Sequence, residues 1–162
     1  MSNTITLPFN MKKMKMIADV KLISKRNSKP SPFKAFLDTG STDTVMSTYL
    51  FKELGFQEQS RIKVTVTGIN GISEGFSTII DHFIIGDVDL GKTRITVTEL
   101  SPAFKNNIVL GMNVLVWFNM LVSHTQKEIT LAERQIKNID RESRFYRTDI
   151  YARNILANII EE

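Results

Sequence analysis

The sequence predicts an all-β domain with short helices and a C-terminal helical extension, and three observations support this class. Apolar and polar residues alternate from Ile5 to Phe9 and again from Met14 to Leu22, which is the period of strands with one buried face. Glycines punctuate a second strand-rich stretch between Arg61 and Ile80. After Ala132, isoleucines recur near helical spacing among arginines and acids, so we expect one long or two short helices there.

The bulk composition sets the domain count and the compartment. A chain of 162 residues with 42% hydrophobic residues is long enough for one domain with a substantial core, which we assign to residues 1–131, followed by the extension at 132–162. The absence of cysteine excludes disulfides, thiol nucleophiles and cysteine-based zinc sites, and favours a reducing compartment. No segment resembles a signal peptide or is long enough to span a bilayer. We therefore expect a cytoplasmic protein without a membrane partner.

The net charge of +4 is concentrated near the N-terminus, where eight basic residues between Lys12 and Lys34 are accompanied by one acid, Asp19. Such a cluster is usually the solvated face of a hairpin. No tryptophan, tyrosine or glycine-rich RNA motif is interleaved with it, so we expect no nucleic-acid partner. A basic β-domain that binds DNA or RNA is kept as a distant alternative.

The first half of the predicted domain has clear punctuation. The composition of residues 26–32 indicates a turn, after which Phe33–Leu37 returns as a strand that ends at Asp38. Ser47 is suited to cap a short helix over residues 48–54, and Gly55 is suited to end it. A helix should therefore follow the turn that begins at Asp38.

The second half continues the strand pattern. Two strands flank a glycine-rich turn at Gly68–Gly75, and together they predict a hairpin with a flexible tip. The two flanking strands are Arg61–Thr67 and Phe76–Ile80, and we predict further strands at His82–Ile85, Thr93–Leu100, Met120–Val122 and Glu128–Leu131. A short apolar run at residues 108–110 ends at Gly111, and residues 113–118 predict a brief helix.

The most informative segment is Asp38-Thr39-Gly40-Ser41 at the end of a strand. Gly40 permits a tight backbone path, and the Thr39 hydroxyl can form a hydrogen bond to a symmetry-related copy. The segment could be an ordinary strand-to-turn junction without a chemical role. The segment also resembles the active-site turn of an aspartic peptidase, whose chemistry needs two carboxylates. Because the sequence has no second Asp-Thr-Gly or Asp-Ser-Gly, this reading requires a second aspartate from another chain.

Over residues 5–131 the order of these segments resembles the retropepsin family, the retroviral-type aspartic peptidases and their bacterial single-lobe relatives. The resemblance rests on Leu37–Ser41, on Gly68–Gly75 and on residues 108–115. It implies a closed β-barrel lobe, a homodimer, a protein or peptide substrate, and no metal or organic cofactor. Two carboxylates about 3 Å apart cannot both ionise, so one holds a proton and the other activates water for hydrolysis of a peptide bond.

The resemblance also assigns roles around the predicted catalytic residues Asp38, Thr39 and Gly40. Leu110 and Gly111 would shield the carboxylates, because apolar or small residues lower the local dielectric without adding a charge. The hairpin would be a flap that closes on the substrate. Its expected substrate-binding residues are Gly68, Ile69, Asn70, Gly71 and Ile72.

Ser41 is predicted to support the turn by donating a hydrogen bond to the outer oxygen of Asp38. That bond would favour the ionised carboxylate and give a more acidic optimum than an alanine at this position.

Three other kinds of site are disfavoured. His82 and His124, the only histidines, lack the neighbours of a hydrolase triad or a metal site, and the glycines do not form a phosphate-binding loop. The main alternative is a catalytically silent dimer of the same fold that binds or scaffolds peptides.

Overall fold

The computed structural model of the protein describes residues 4–10, 15–23, 31–56, 62–68, 71–104 and 107–134. The described chain is built mainly of strands with two short helices, α1 (Thr48–Glu53) and α2 (Met112–Leu115). The strands up to the hairpin are β1 (Thr4–Asn10), β2 (Lys15–Ile23), β3 (Ser31–Leu37), β4 (Val45–Ser47), β5 (Ile62–Gly68) and β6 (Gly71–Ile80). The remaining strands are β7 (His82–Ile85), β8 (Val88–Asp89), β9 (Thr93–Thr98), β10 (Ile108–Leu110), β11 (Phe118–Ser123) and β12 (Glu128–Glu133).

The strands join in one sheet whose main path runs β11-β12-β1-β2-β3-β10-β4-β9-β6-β5. Strand β7 pairs with β2 and with β8 beside this path. Most pairs are antiparallel, but β3–β10 and β4–β9 are parallel. The parallel β3–β10 pair places the C-terminal ends of two strands that are distant in sequence side by side at the centre of the sheet.

The core lies on one face of the central strands, as the period of two requires. Ala35 and Leu37 of β3 are buried beside their β10 partners Ile108 and Leu110. The ladder continues through Met46 of β4 to Val97 of β9, so these side chains share that face. We call it the core face. The alternate residues of the same strands point to the other face.

Helix α1 begins where the sequence predicted. The Ser47 hydroxyl accepts a 3.0 Å hydrogen bond from the backbone nitrogen of Leu50, which satisfies a free donor of the first turn. Gly55 follows the capping residue Leu54 with φ of +66°, the left-handed conformation that glycine adopts readily. Within the described residues no helix is long and apolar enough to cross a membrane.

The structure confirms the predicted all-β class and most of the predicted strands, but it corrects the hairpin. Gly68–Gly75 was predicted as a turn, whereas β6 already begins at Gly71. Gly75 lies inside β6. A Cβ at this position would lie 2.5 Å from the carbonyl oxygen of Val97, so the position requires a glycine. The glycine therefore serves a close approach of two backbones rather than a turn.

Other differences are small. Strands β4 and β8, of three and two residues, were not predicted because such short segments carry no readable period. The helix predicted at residues 113–118 is α2, which begins at Met112, and Phe118 belongs to β11 instead. Strand β12 continues past Leu131 to Glu133. Residues 132 and 133, predicted to begin the helical extension, therefore belong to a strand. Beyond residue 134 the predicted extension lies outside the described residues, as does most of the predicted turn at 26–32.

Candidate active site

Asp38 directly follows β3, and its backbone extends the ladder between β3 and β10. The backbone nitrogen of Asp38 donates a 3.0 Å hydrogen bond to the carbonyl oxygen of Leu110. The Asp38 carboxylate accepts a 2.9 Å hydrogen bond from the backbone nitrogen of Gly40, and the Asp38 carbonyl accepts one from Ser41 at 3.2 Å. Because the carboxylate is exposed, the turn orients it without closing it off. We call residues 38–43 the Asp38 turn.

The segment after β10 packs tightly against this turn at Gly111. A Cβ at this buried glycine would lie 2.3 Å from the carbonyl carbon and oxygen of Asp43, so no other residue fits without a shift of the backbone. The backbone nitrogens of Met112 and Asn113 donate to the carbonyls of Ser41 and Thr42 at 2.8 and 3.0 Å. Gly111 therefore acts by backbone contact, and Leu110 supplies the acceptor for Asp38.

A buried polar network completes this attachment. The side-chain oxygen of Asn113 accepts hydrogen bonds from the backbone nitrogen and the hydroxyl of Thr44, each at 2.8 Å. The Asn113 amide donates to the carbonyl of Arg94 at 3.0 Å, and the Thr44 hydroxyl accepts a bond from the nitrogen of Gly111 at 3.1 Å. The sequence analysis missed both residues, although Asn113 stands out as a polar residue in an apolar segment.

The hydroxyls of Ser41 and Thr39 differ in their hydrogen bonds. Ser41 was predicted to donate to the outer oxygen of Asp38, but its hydroxyl donates to the carbonyl of Asp43 at 2.8 Å. That prediction is wrong in the single chain, because the one hydroxyl proton is used to close the turn. The Thr39 hydroxyl is exposed and has no hydrogen-bond partner within the described residues. It stays accessible to a second copy.

The face of the sheet that carries Asp38 is opposite to the core face. Asp38 and Phe36 share this face by alternation along β3, and Phe36 is aligned with Val109 of β10. The ring of Phe104 packs edge-on against Phe36, with ring centroids 5.4 Å apart. Phe36 and Val109 are half-buried, and Phe104 is 36% exposed. The carboxylate thus lies beside an accessible apolar wall. We call this side the cleft face.

The predicted flap residues lie at the end of a projecting hairpin. Strand β6 pairs with β9 only from Gly75 to Ile80, whereas residues 71–74 pair with β5 alone. The tip of the hairpin therefore extends beyond the sheet as a two-stranded arm. Gly68, Gly71 and Ile72 are exposed on this arm, Ile72 by 76%. Ile69 and Asn70, the other predicted flap residues, lie outside the described residues.

The described residues contain no group of three or more histidine, cysteine, aspartate or glutamate side chains that could hold a metal ion. His82 forms a 2.8 Å contact with the carboxylate of Asp89, whose other oxygen accepts a bond from the nitrogen of Gly91. This pair stabilises the connection around β8 and lies away from the Asp38 turn in sequence. The side chains available for chemistry at the turn are the carboxylates of Asp38 and Asp43 and the hydroxyls of Thr39, Ser41 and Thr42.

Comparison with known proteins identifies a family. The model of a family described as "gag-polyprotein putative aspartyl protease" matches residues 26–116, more than half of the 162 residues. The matched region contains the Asp38 turn, the β5–β6 hairpin and Gly111. No curated protein matches the chain.

Two solved structures have a similar fold. A retropepsin-like aspartic protease from Rickettsia conorii has a TM-score of 0.61 and 18% identity, with 80% of this chain and 98% of that chain covered. The EIAV protease, solved with an inhibitor, has a TM-score of 0.52 and 22% identity, with 68% of this chain and 92% of that chain covered. At these identities the likeness shows the fold alone.

Proposed function

The chain belongs to the gag-polyprotein aspartyl protease family and has the retropepsin-like fold, and from this premise we propose that it is an aspartic endopeptidase that acts as a homodimer. The observation that carries the proposal is the attachment of the Asp38 turn to Leu110 and Gly111. It presents one exposed carboxylate in a fixed orientation. A rigid support of this kind is what a group that must meet a reacting atom requires.

The proposed reaction uses Asp38 from each of two copies. One carboxylate removes a proton from water as the water oxygen attacks the peptide carbonyl carbon, and the protonated partner donates its proton to the carbonyl oxygen. When the tetrahedral intermediate breaks down, the carboxyl that took the proton from water donates it to the leaving nitrogen and the C–N bond is cleaved. One hydroxyl of the intermediate returns its proton to the partner Asp38 as the carbonyl re-forms, which restores the starting dyad. Because the pair works with one shared proton, activity should fall on both sides of an optimum pH.

The proposal of a homodimer rests on the incomplete site and on an exposed edge. Of the two aspartates in the Asp38 turn, only Asp38 directly follows β3, and the dyad needs a second carboxylate in an equivalent position. Within the described part of the chain, strand β11 ends the sheet path and its outer edge pairs with no strand; its adjacent residues Met120 and Leu121 are 37% and 67% exposed. An unpaired edge with exposed apolar side chains on both faces favours pairing with another chain. A second copy that pairs there would satisfy this edge.

The cleft face suggests how a substrate is held. The apolar wall of Phe36, Val109 and Phe104 adjoins Asp38, so we propose that it contacts an apolar side chain next to the cleaved bond. The projecting arm of the β5–β6 hairpin is proposed to close over the peptide as a flap. Closure would exclude water and strengthen the electrostatic interactions of the dyad.

A cleavage assay tests this function. A diverse peptide library is incubated with the protein from pH 3 to 8, beside Asp38→Asn, while the mass in solution is measured in parallel. We expect cutting by a dimer and its loss in Asp38→Asn. A Leu121→Lys variant should be monomeric and inactive, whereas Ile79→Lys, also at an exposed position, should remain dimeric and active.

The assay separates the proposal from its alternative. A confirmed dimer that folds, binds peptides and cuts none of them would favour the catalytically silent peptide-binding module. Cutting that persists in Asp38→Asn would contradict the proposed catalytic residue.

A further inference from the structure

A second concave site lies between helix α1 and the base of the β5–β6 hairpin. It is a groove of about 640 Å³. We call it the α1 groove and define it by six of its lining residues: Phe51, Lys63, Glu74, Phe76, Val97 and Glu99. Its size is within the range of pockets that bind small ligands or peptide side chains. Nothing in the proposed peptidase reaction uses it.

The strand register places this groove on the side of the sheet opposite to Asp38. Phe76 is aligned with Val97, Val97 with Met46, and Met46 with Ile108 of β10. Ile108 is aligned in turn with Ala35, so this row lies on the core face. Phe36 and Asp38 alternate with Ala35 and lie on the cleft face. A ligand in the groove would therefore be separated from the proposed dyad by the sheet itself.

The groove combines an apolar bottom with charges of both signs. Phe51 and Phe76 contact each other edge-on at its bottom, with ring centroids 5.3 Å apart, beside the buried Val97. Lys63 and Glu74 are exposed at the rim, and Glu99 accepts a hydrogen bond from the Thr48 hydroxyl. This lining is complementary to an apolar side chain that has an acidic and a basic neighbour.

The edge of β5 adds a means of holding a main chain. Strand β5 is at the end of the sheet path, so within the described part of the chain its outer edge pairs with no strand. Two residues connect the paired Gly68 and Gly71, and in such a hairpin this closing pair is hydrogen-bonded. Hydrogen-bonded pairs alternate with non-hydrogen-bonded pairs along the ladder, so every second residue before Gly68 directs its backbone groups toward β6. Lys63 and Thr65 are among the residues in between, whose backbone groups point outward. Their side chains lie on the groove side, because Lys63 is aligned with Phe76 and Thr65 with Glu74.

We infer that the α1 groove docks an extended peptide segment of a partner protein, which pairs with the outer edge of β5 at Lys63 and Thr65. The added strand places an apolar side chain over Phe76, with an acidic residue near Lys63 and a basic residue near Glu74. Edge addition supplies main-chain hydrogen bonds, and the groove supplies specificity. Because the site is at the base of the proposed flap, occupancy would also stiffen the arm that closes over the cleft.

Binding of defined peptides to the full-length Asp38→Asn variant tests this inference without catalysis. The probes are nine-residue peptides with a central leucine or phenylalanine between one acidic and one basic residue. Thr65→Pro removes the outward N–H at an edge position, where proline is tolerated. Lys63→Glu reverses a rim charge, and Glu53→Lys, on α1 but outside the groove lining, is the control.

We expect both groove variants to weaken binding about tenfold or more, equivalent to about 1.4 kcal/mol, with Glu53→Lys unchanged. A peptide with lysine in place of its acidic residue should recover affinity for Lys63→Glu. Hydrogen exchange should show protection at β5 and α1 in the parent complex. The recovery of affinity by the lysine peptide identifies the contact at position 63 even if Thr65→Pro folds poorly.

Three results of the binding experiment would overturn the inference, and a fourth comes from the mass in solution. They are the absence of binding by any probe, binding that neither Lys63→Glu nor Thr65→Pro weakens, and protection confined to the Asp38 turn. A doubled mass that Thr65→Pro abolishes would also overturn it, in favour of a second copy at this edge. Since the readout is binding to a variant without the catalytic carboxylate, these results are independent of the peptidase proposal.

Discussion

The side-chain oxygen of Asn113 accepts two hydrogen bonds from Thr44, one from its backbone nitrogen and one from its hydroxyl, both at 2.8 Å. Thr44 is fully buried, and it follows the Asp38 turn by a single residue. The amide of Asn113 also reaches the carbonyl of Arg94, so one side chain ties the turn, β9 and α2 together. The position of the proposed catalytic carboxylate therefore depends on a residue 75 positions away in the sequence.

Replacement of Asn113 by alanine should destabilise the protein by about 2–4 kcal/mol, because it removes the acceptor of two buried Thr44 donors and the hydrogen bond to the carbonyl of Arg94. Peptidase activity should fall further than the loss of folded protein explains, since the Asp38 turn loses its support. Chemical denaturation and cleavage assays measure the two effects. Asn107→Ala, at a half-buried position whose side chain makes no hydrogen bond to the described residues, is the matched control. Equal stability of the two variants would contradict the account.

Replacement of Gly111 by alanine tests the close approach to Asp43. The added Cβ would lie 2.3 Å from the Asp43 carbonyl, so the backbone must shift at a cost of about 1–3 kcal/mol. We expect a lower melting temperature and a loss of activity. Gly68→Ala is the stability control, because a Cβ at that position meets no atom within 4 Å. Equal melting temperatures of Gly111→Ala and Gly68→Ala would show that the approach of Gly111 to Asp43 is not tight.

The sequence predicts the local elements of this fold well, for reasons visible in particular residues. The alternation through Ala18, Val20 and Leu22 matches three side chains that are fully buried in β2. The Ser47 cap of α1 was also predictable, because a serine before a helical segment has a specific partner in the first turn. Signals that act over a few neighbouring residues are therefore readable from one sequence.

Long-range relationships were not readable in the same way. The parallel pairing of β3 with β10 and the contact of Gly111 with Asp43 join segments about 70 residues apart, and no local period encodes them. Gly75 was wrongly predicted to belong to a turn, because a glycine that permits a close approach to Val97 has the same sequence signal as a turn glycine. The proton of Ser41 was likewise assigned to the wrong acceptor, because two oxygens compete for it and only the folded turn decides between them.

Ser41→Ala separates the observed hydrogen bond from the predicted one. In the structure the hydroxyl donates to the carbonyl of Asp43, so its removal should cost about 1 kcal/mol of stability and leave the acidic limb of the pH–activity profile unchanged. Activity measured from pH 3 to 8 for the parent and the variant decides the matter. A shift of the acidic limb would show that Ser41 contacts the Asp38 carboxylate in the working enzyme.

Phe104→Ala tests the apolar wall beside Asp38. Removal of this partly exposed ring opens space next to Phe36, so the variant should gain about tenfold in preference for larger side chains at the cleaved bond. Competitive cleavage of peptides that differ only at that residue gives the ratio. Tyr49→Ala removes another exposed ring, on α1, and should keep the parent preference. An unchanged preference in Phe104→Ala would remove the wall from the proposed cleft.

Two copies are proposed to contribute one Asp38 each to a single site, and a subunit-mixing experiment decides whether they do. Wild-type protein and full-length Asp38→Asn are mixed in equal amounts and allowed to exchange, with exchange verified by native mass spectrometry on a tagged subunit. Random pairing leaves about one quarter of the dimers with two carboxylates, so cleavage should fall to about one quarter of that of undiluted wild type. Activity that stays at about one half, as independent monomers would give, would contradict the shared site.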